Sequence, residues 1–321
     1  LRGLFTLNFH FNFLFTFFKY LDFLEKCKNL KVIYSAYDVL FPKTFKLACE
    51  IRFIKTISHQ ERLYHYSFFI PLFYNYYFVS GEFKNLLPKY DYIIDDGYID
   101  MGVMRSNLIT SNTSHRVKKE LIRLKKIKNE KKVILCVGLF ALNDHEAGII
   151  GEDGTSIKSN IDFVNTILKL SKKFENFYFL IRFKDNKTKK NLPQKILEEI
   201  KNSFNIEIND NEKVNIYQLS EISDFIIGKQ TSLMEESIAA SKKVVFYDNE
   251  NHFNSLDYIL NKYDLSEKDY LGLESRLTKL LKGNEINESE KENSLSKYIE
   301  VNDKLNSYKI ISNSLEEILT K

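Results

Sequence analysis

The densest grouping of residues suited to holding an anion lies at positions 224–248, DFIIGKQTSLMEESIAASKKVVFYD. An apolar run there ends at Gly228, where the missing side chain lets backbone come close to a ligand. Thr231 or Ser232 then takes the N-cap of the next helix, with Glu235 three or four residues on, the spacing of a capping box. The first N–H groups of a helix have no intrahelical acceptor, and the helix dipole adds partial positive charge, so this turn suits a phosphate. Plain helix capping accounts for the same residues without a ligand, and both readings stand.

Three further groups could take part. Val137-Gly138 closes an apolar run and opens a polar stretch, 139–160, that holds Gly148, Gly151 and Gly154. His145, Glu146 and Asp153 lie in it at a spacing that matches no metal-ligand pattern. It reads as a mobile loop near a ligand, and no metal is expected. Arg182 and Lys184 follow the apolar run FYFLI, and the guanidinium fork of Arg182 fits two phosphate oxygens, although a surface charge pair is the simpler reading. In the first half, residues 55–62 (KTISHQER) bring His59 and Glu61 together. Either could take a proton from a hydroxyl nucleophile, with Asp38 a weaker second base. A polar loop with an ordinary histidine is the bland alternative. No GxGxxG, P-loop, HExxH or GxSxG occurs, which argues against nicotinamide enzymes, P-loop kinases, zincins and α/β-hydrolases.

These residues need a frame, and the hydrophobic pattern supplies one. In the second half, strands are expected at 132–137, 177–181, 214–217, 224–227 and 243–247, with helices at 163–174, 194–203 and 233–240 between them. Continuous apolar runs such as KVILCV signal strands covered on both faces, and strict alternation with helices implies a parallel sheet joined by right-handed crossovers. Ligands of such sheets bind at the carboxyl ends of the strands. In the first half, 31–37, 74–79 and 90–94 read as strands, 45–55 as a helix, and Asp95-Asp96-Gly97 as a turn. Residues 117–132 are dense in Lys and Arg and read as a solvated helix face plus linker, with a basic rim for anionic lipid or a phosphorylated acceptor as the rival. Residues 283–297 are expected to be an exposed polar loop. The last twenty or so residues are expected to form a helix with Leu305, Ile310, Ile311, Leu315 and Ile318 as its packing face.

The 321 residues suffice for two α/β domains, divided here into 1–118, a basic linker 119–131, 132–281, and a tail 282–321. The first residue is Leu rather than Met, so the chain is expected to lack its natural start. A net charge of +4 is too small to imply a nucleic-acid partner. Three widely spaced cysteines fit a reduced, cytoplasmic protein. Residues 4–18 (LFTLNFHFNFLFTFF) alternate as a strand and also recur at helical spacing from about residue 11. A buried core element is the first reading, with peripheral contact on the inner face of a membrane and a true span as rivals.

The segment 224–248 resembles the donor-binding segment of GT-B glycosyltransferases and the related UDP-sugar 2-epimerases. In those enzymes an aDxxI strand, a Ser/Thr pair and a helical Glu precede a Gly-Lys-Pro-Val strand. Asp224, Ile226, Ile227, Thr231, Ser232, Glu236 and Lys243-Val244-Val245 match, while Ser241-Lys242-Lys243 departs where Gly-Lys-Pro is common. The resemblance implies two Rossmann-like domains facing a cleft, with the first incomplete or compact. It places Gly138, Arg182, Lys184, Gly228, Thr231, Ser232 and Glu236 against a nucleotide-sugar donor. His59 and Glu61 fall on the side of a glycan or lipid-linked acceptor. The implied reaction is metal-independent sugar transfer in cell-surface polysaccharide assembly, without a cofactor. A UDP-sugar 2-epimerase, a CDP-polyol phosphotransferase and a non-catalytic nucleotide-sugar-binding protein are the alternatives.

Overall fold

The computed structural model describes residues 2–36, 41–60, 72–80, 93–110, 118–139, 157–184, 186–211, 214–229, 231–249, 265–282 and 307–320. The chain divides into two compact units, 1–104 with 296–321, and 105–295. Both are α/β with parallel sheets.

The first unit holds four strands, β1 (Val32–Ser35), β2 (Lys55–His59), β3 (Phe73–Val79) and β4 (Ile93–Asp100), paired in that order. Helix α1 (Arg2–Lys26) precedes them, and α2 (Lys43–Ile51) links β1 to β2. Residues 4–18 are therefore helical despite their alternation. One side of α1 packs Phe17, Tyr20, Leu21 and Leu24 against Ala48, Cys49 and Ile54, and this helical stripe prevails over the period of two. Asp95-Asp96-Gly97 does not turn the chain either. Lys46, 2% exposed, donates to Asn75 and Asp95 and pairs with Glu50, while Lys55 binds Asp96, so both carboxylates are neutralised within the strand. Gly97, at φ +133°, takes up a register shift opposite Tyr74 and Tyr76. The last helix of the chain returns to this unit, where Ile310, Ile311, Leu315 and Ile318 pack on Ile57, Phe78 and Met101. Of the expected packing face, Leu305 lies outside the described residues.

The second unit begins with α3 (Asn107–Thr110) and α4 (Lys118–Glu130). The basic stretch is thus part of a domain, and the division falls after Met104 instead of at 118. Leu124 is fully buried, and Arg123 joins Glu120 to Glu207, a contact that fixes α4 to the edge of the sheet. The strands are β5 (Lys132–Leu139), β6 (Phe177–Phe183), β7 (Ile206–Ile208), β8 (Phe225–Gly228), β9 (Val244–Tyr247) and β10 (Ser266–Glu267). The helices are α5 (Ile157–Lys173), α6 (Asn186–Lys190), α7 (Gln194–Lys201), α8 (Ile216–Ile222), α9 (Ser232–Ala239) and α10 (Tyr270–Lys282), with α11 (Ser307–Thr320) as the returning helix. The sheet order is β7-β6-β5-β8-β9-β10, in which the first three strands run one way from β5 and the next three the other. That is the doubly wound Rossmann order, with its reversal between β5 and β8.

The core explains the order. Phe163, Ile167 and Leu170 on one face of α5 meet Cys136, Phe179, Ile181 and Ile227 from the sheet, all essentially unexposed. Residues 214–217 begin a helix instead of the expected strand. Asn215 accepts from the Gln218 N–H at 2.9 Å while the Gln218 side chain accepts from the Asn215 N–H at 3.0 Å. This reciprocal cap outweighs the β-branched residues around it.

Candidate functional site in the second unit

The reversal between β5 and β8 brings two glycines together. Gly138 has φ +79°, and a Cβ there would lie 2.8 Å from the Lys229 carbonyl oxygen. A Cβ on Gly228 would lie 2.5 Å from Met234 Sδ and 2.9 Å from Val137 Cγ2. Gly138 is thus required by the close approach of β5 to the backbone after β8, whereas a side chain at Gly228 would displace the flexible end of Met234 and press on Val137.

Lys229 follows directly. It is 4% exposed, and its ammonium donates to Ser159 Oγ in the first turn of α5. Ser159 Oγ also reaches Asn249 Oδ1, just past β9, at 3.3 Å. A buried cation at the amino end of a 17-residue helix adds its charge to the positive end of the dipole. Two residues after Lys229, Thr231 is the N-cap of α9 by backbone conformation, φ −158° and ψ 143°. Its side chain makes no capping hydrogen bond, so the expected capping box does not form. Thr231 and Ser232 are half-buried.

Glu236, on the next turn of α9, is 4% exposed. Arg105 Nη1 stands 3.9 Å from its carboxylate, and the Tyr217 hydroxyl is hydrogen-bonded to both side chains. Burial first, and then the Glu236 charge, push the Tyr217 phenol well above its ordinary range. Tyr217 therefore remains a protonated donor across the physiological range, and the Glu236 carboxylate is held in one orientation.

The other expected residues have partners of their own. Arg182 is the penultimate residue of β6, but its Nη1 binds Asn209 O at 2.8 Å, Asn209 Oδ1 at 3.1 Å and Asn211 O at 3.3 Å. The guanidinium anchors the chain leaving β7. Lys184 donates its backbone N–H to Leu139 O at 3.0 Å and has an exposed side chain. His59 belongs to the first unit, as the last residue of β2; it is 4% exposed, with Nδ1 2.5 Å from the Tyr34 hydroxyl and its ring stacked on that of Tyr34. Glu61, Asp38 and residues 140–156 lie outside the described residues. Among the described residues, no three His, Cys, Asp or Glu side chains come together as a metal site.

Lys229, Ser159, Arg105 and Tyr217 were not singled out by sequence. A charged residue directly after the fully apolar run FIIG was the available signal for Lys229. Nothing in the sequence ties Arg105 or Tyr217 to Glu236; only the packing of α3 against α8 brings them there.

No family model and no curated protein matches the chain. Solved structures do. UDP-GlcNAc 2-epimerase from Neisseria meningitidis, bound to UDP-GlcNAc, superposes with a TM-score of 0.60 at 18% identity over 92% of this chain and 78% of that one. UDP-GlcNAc 2-epimerase from Methanocaldococcus jannaschii gives 0.54 at 14% identity over 82% and 73%. The wall teichoic acid polymerase TagF, in a variant soaked with CDPG, gives 0.51 at 14% identity over 90% and 73%. The chain thus shares the α/β fold of these structures, with two units that each hold a parallel sheet.

Proposed function

We propose that the second unit binds the diphosphate of a nucleotide sugar at the carboxyl ends of β5 and β8. The protein then transfers that sugar to a glycan or lipid-linked acceptor in cell-surface polysaccharide assembly. The observation that carries the first part is the position of Lys229, a buried cation at the strand-order reversal, between the first turn of α5 and the N-cap of α9. Two helix starts and an ammonium in one place form a ready anion site. Departure of a nucleoside diphosphate builds negative charge on phosphate oxygens, and preorganised donors in a water-poor site stabilise it without reorganising. On this scheme Ser232 and the α9 amides take one phosphate and Lys229 the other. Glu236, oriented by Arg105 and Tyr217, accepts hydrogen bonds from a hydroxyl of the donor. The sites of His59 and Glu61 remain the acceptor-side proposal, with His59 as the base.

The fold neighbours support a second reading, since two of them are named as UDP-GlcNAc 2-epimerases. Such an enzyme acts on UDP-GlcNAc with no acceptor. Incubating the protein with UDP-GlcNAc alone separates the two: appearance of the 2-epimer selects epimerisation, whereas transfer leaves the sugar unchanged until an acceptor is added. The binding claim has its own test. Calorimetric titration with UDP, CDP and GDP should show binding of one nucleotide to the native protein. Lys229→Met should weaken it by about 1.5–3 kcal/mol, the worth of a charge-assisted hydrogen bond. Equal affinity in the variant would remove Lys229 from the site.

A further inference from the structure

The exposed side of α1 is a feature that the proposed activity does not use. Phe11 is 68% exposed, Leu14 49%, Phe15 52% and Phe18 61%, at the spacing of one helical stripe. Between Gly3 and Phe18 the sequence carries no Asp, Glu, Lys or Arg. The Phe11 and Phe15 rings stack at 6.3 Å, and the Lys19 ammonium lies 4.4 Å over the Phe15 ring, so cation and aromatic face act together. The opposite stripe, Phe17, Tyr20, Leu21 and Leu24, is occupied by α2 and the sheet. The outer stripe is therefore surplus to the core of this unit.

Charge identifies the occupant. Residues 1–55 hold nine Lys or Arg and four Asp or Glu, a surplus of five, whereas the whole chain has a surplus of four. Residues 1–31, which include the apolar stripe, hold five Lys or Arg and two Asp or Glu, and no acidic residue precedes Asp22. Helix α1 is 25 residues long, roughly 37 Å. No described helix is long and apolar enough to cross a membrane. We propose that α1 lies in the plane of an anionic lipid surface. Phe11, Leu14, Phe15 and Phe18 enter the boundary between headgroups and acyl chains, and Lys19, Lys28 and Lys31 face the headgroup phosphates, while Lys26 is paired with Asp22. Aromatic side chains beside lysines suit that boundary, and apolar area and charge add in the binding.

The test is flotation of the full chain with two kinds of vesicle, one of phosphatidylcholine alone and one of equal parts phosphatidylcholine and phosphatidylglycerol. The protein should float with the anionic vesicles, lose that binding as salt is raised, and bind neutral vesicles at least about tenfold more weakly. The variant carrying Phe11→Ser, Phe15→Ser and Phe18→Ser should lose at least about tenfold in partitioning while its thermal midpoint stays within a few degrees. Should that variant fail to fold, Lys19→Glu with Lys28→Glu supplies the second arm, since both side chains are exposed, and it should also weaken anionic binding. Absence of flotation with anionic vesicles overturns the proposal. So does a concentration-dependent dimer, by sedimentation, that the triple Ser variant abolishes, because the stripe would then be covered by a second copy of the chain.

Discussion

Substituting Gly138 by Ala probes the strand reversal on which the candidate site is built. The residue sits at φ +79°, and an added methyl would lie 2.8 Å from the Lys229 carbonyl oxygen and 2.9 Å from its carbonyl carbon and amide nitrogen. The left-handed conformation costs an alanine about 1–2 kcal/mol. Forcing a methyl against backbone that cannot rotate away adds about 1–3 kcal/mol. The stiffer unfolded chain returns about 0.4–1 kcal/mol. The net expected loss is about 2–4 kcal/mol, and it should fall on the second unit alone. The chain carries its own reporters for that distinction. Cys136, two residues from the site, is fully buried in β5 and its thiol is pushed far above the ordinary range by burial. Cys49, in the first unit, is equally buried, and burial raises it to about 11. Pulsed thiol labelling across a urea series, read by peptide mapping, follows the two units separately. Exposure of Cys136 should move to lower urea in Gly138→Ala, while that of Cys49 stays in place. Coincident curves for variant and parent at Cys136 would show that Gly138 is under no such constraint and that the strand ends do not close as described.

Four further outcomes follow from the same geometry. Ser241 occupies φ +57° where Gly is the unstrained choice, so Ser241→Gly should stabilise the second unit by about 1 kcal/mol, seen as a rise in its denaturation midpoint. Lys46→Ala would leave Asn75, Asp95 and Glu50 without the cation that joins them and should destabilise the first unit by about 2–4 kcal/mol, measured by loss of Cys49 protection. Tyr217→Phe keeps the ring but removes the donor to Glu236, and it should weaken nucleotide-sugar binding more than nucleotide binding by calorimetry if Glu236 contacts the sugar. Under native conditions at mildly alkaline pH, only the half-exposed Cys27 should react rapidly with a thiol reagent, with three thiols released on unfolding.

The doubly wound sheet of the second unit was legible because buried parallel strands write themselves as unbroken apolar runs, as in KVILCV and FYFLI. Segments decided by side-chain bonding were less legible. Residues 214–217 carry strand formers, yet the Asn215–Gln218 cap turns them into a helix start. Asp95-Asp96-Gly97 has turn composition, yet Lys46 and Lys55 from neighbouring elements hold it in a strand. The basic stretch 118–130 looked like a linker because its anchoring partners, Glu207 and Asp224, are far away in sequence. At the site, local chemistry marked Gly138, Gly228, Thr231, Ser232 and Glu236 for attention. Their surroundings, Lys229 on Ser159 and Arg105 with Tyr217 on Glu236, arise from contacts over 19 to 131 positions that no local pattern encodes.

Amide hydrogen exchange, with and without the nucleoside diphosphate that binds, tests the central claim most directly. Binding at the β5–β8 reversal predicts slowed exchange in the first turns of α5 and α9, at Ser159, Asn160 and residues 232–236, with the first unit's sheet unchanged. A nucleotide that binds but slows exchange only in the first unit, or the absence of binding by UDP, CDP and GDP alike, would contradict it.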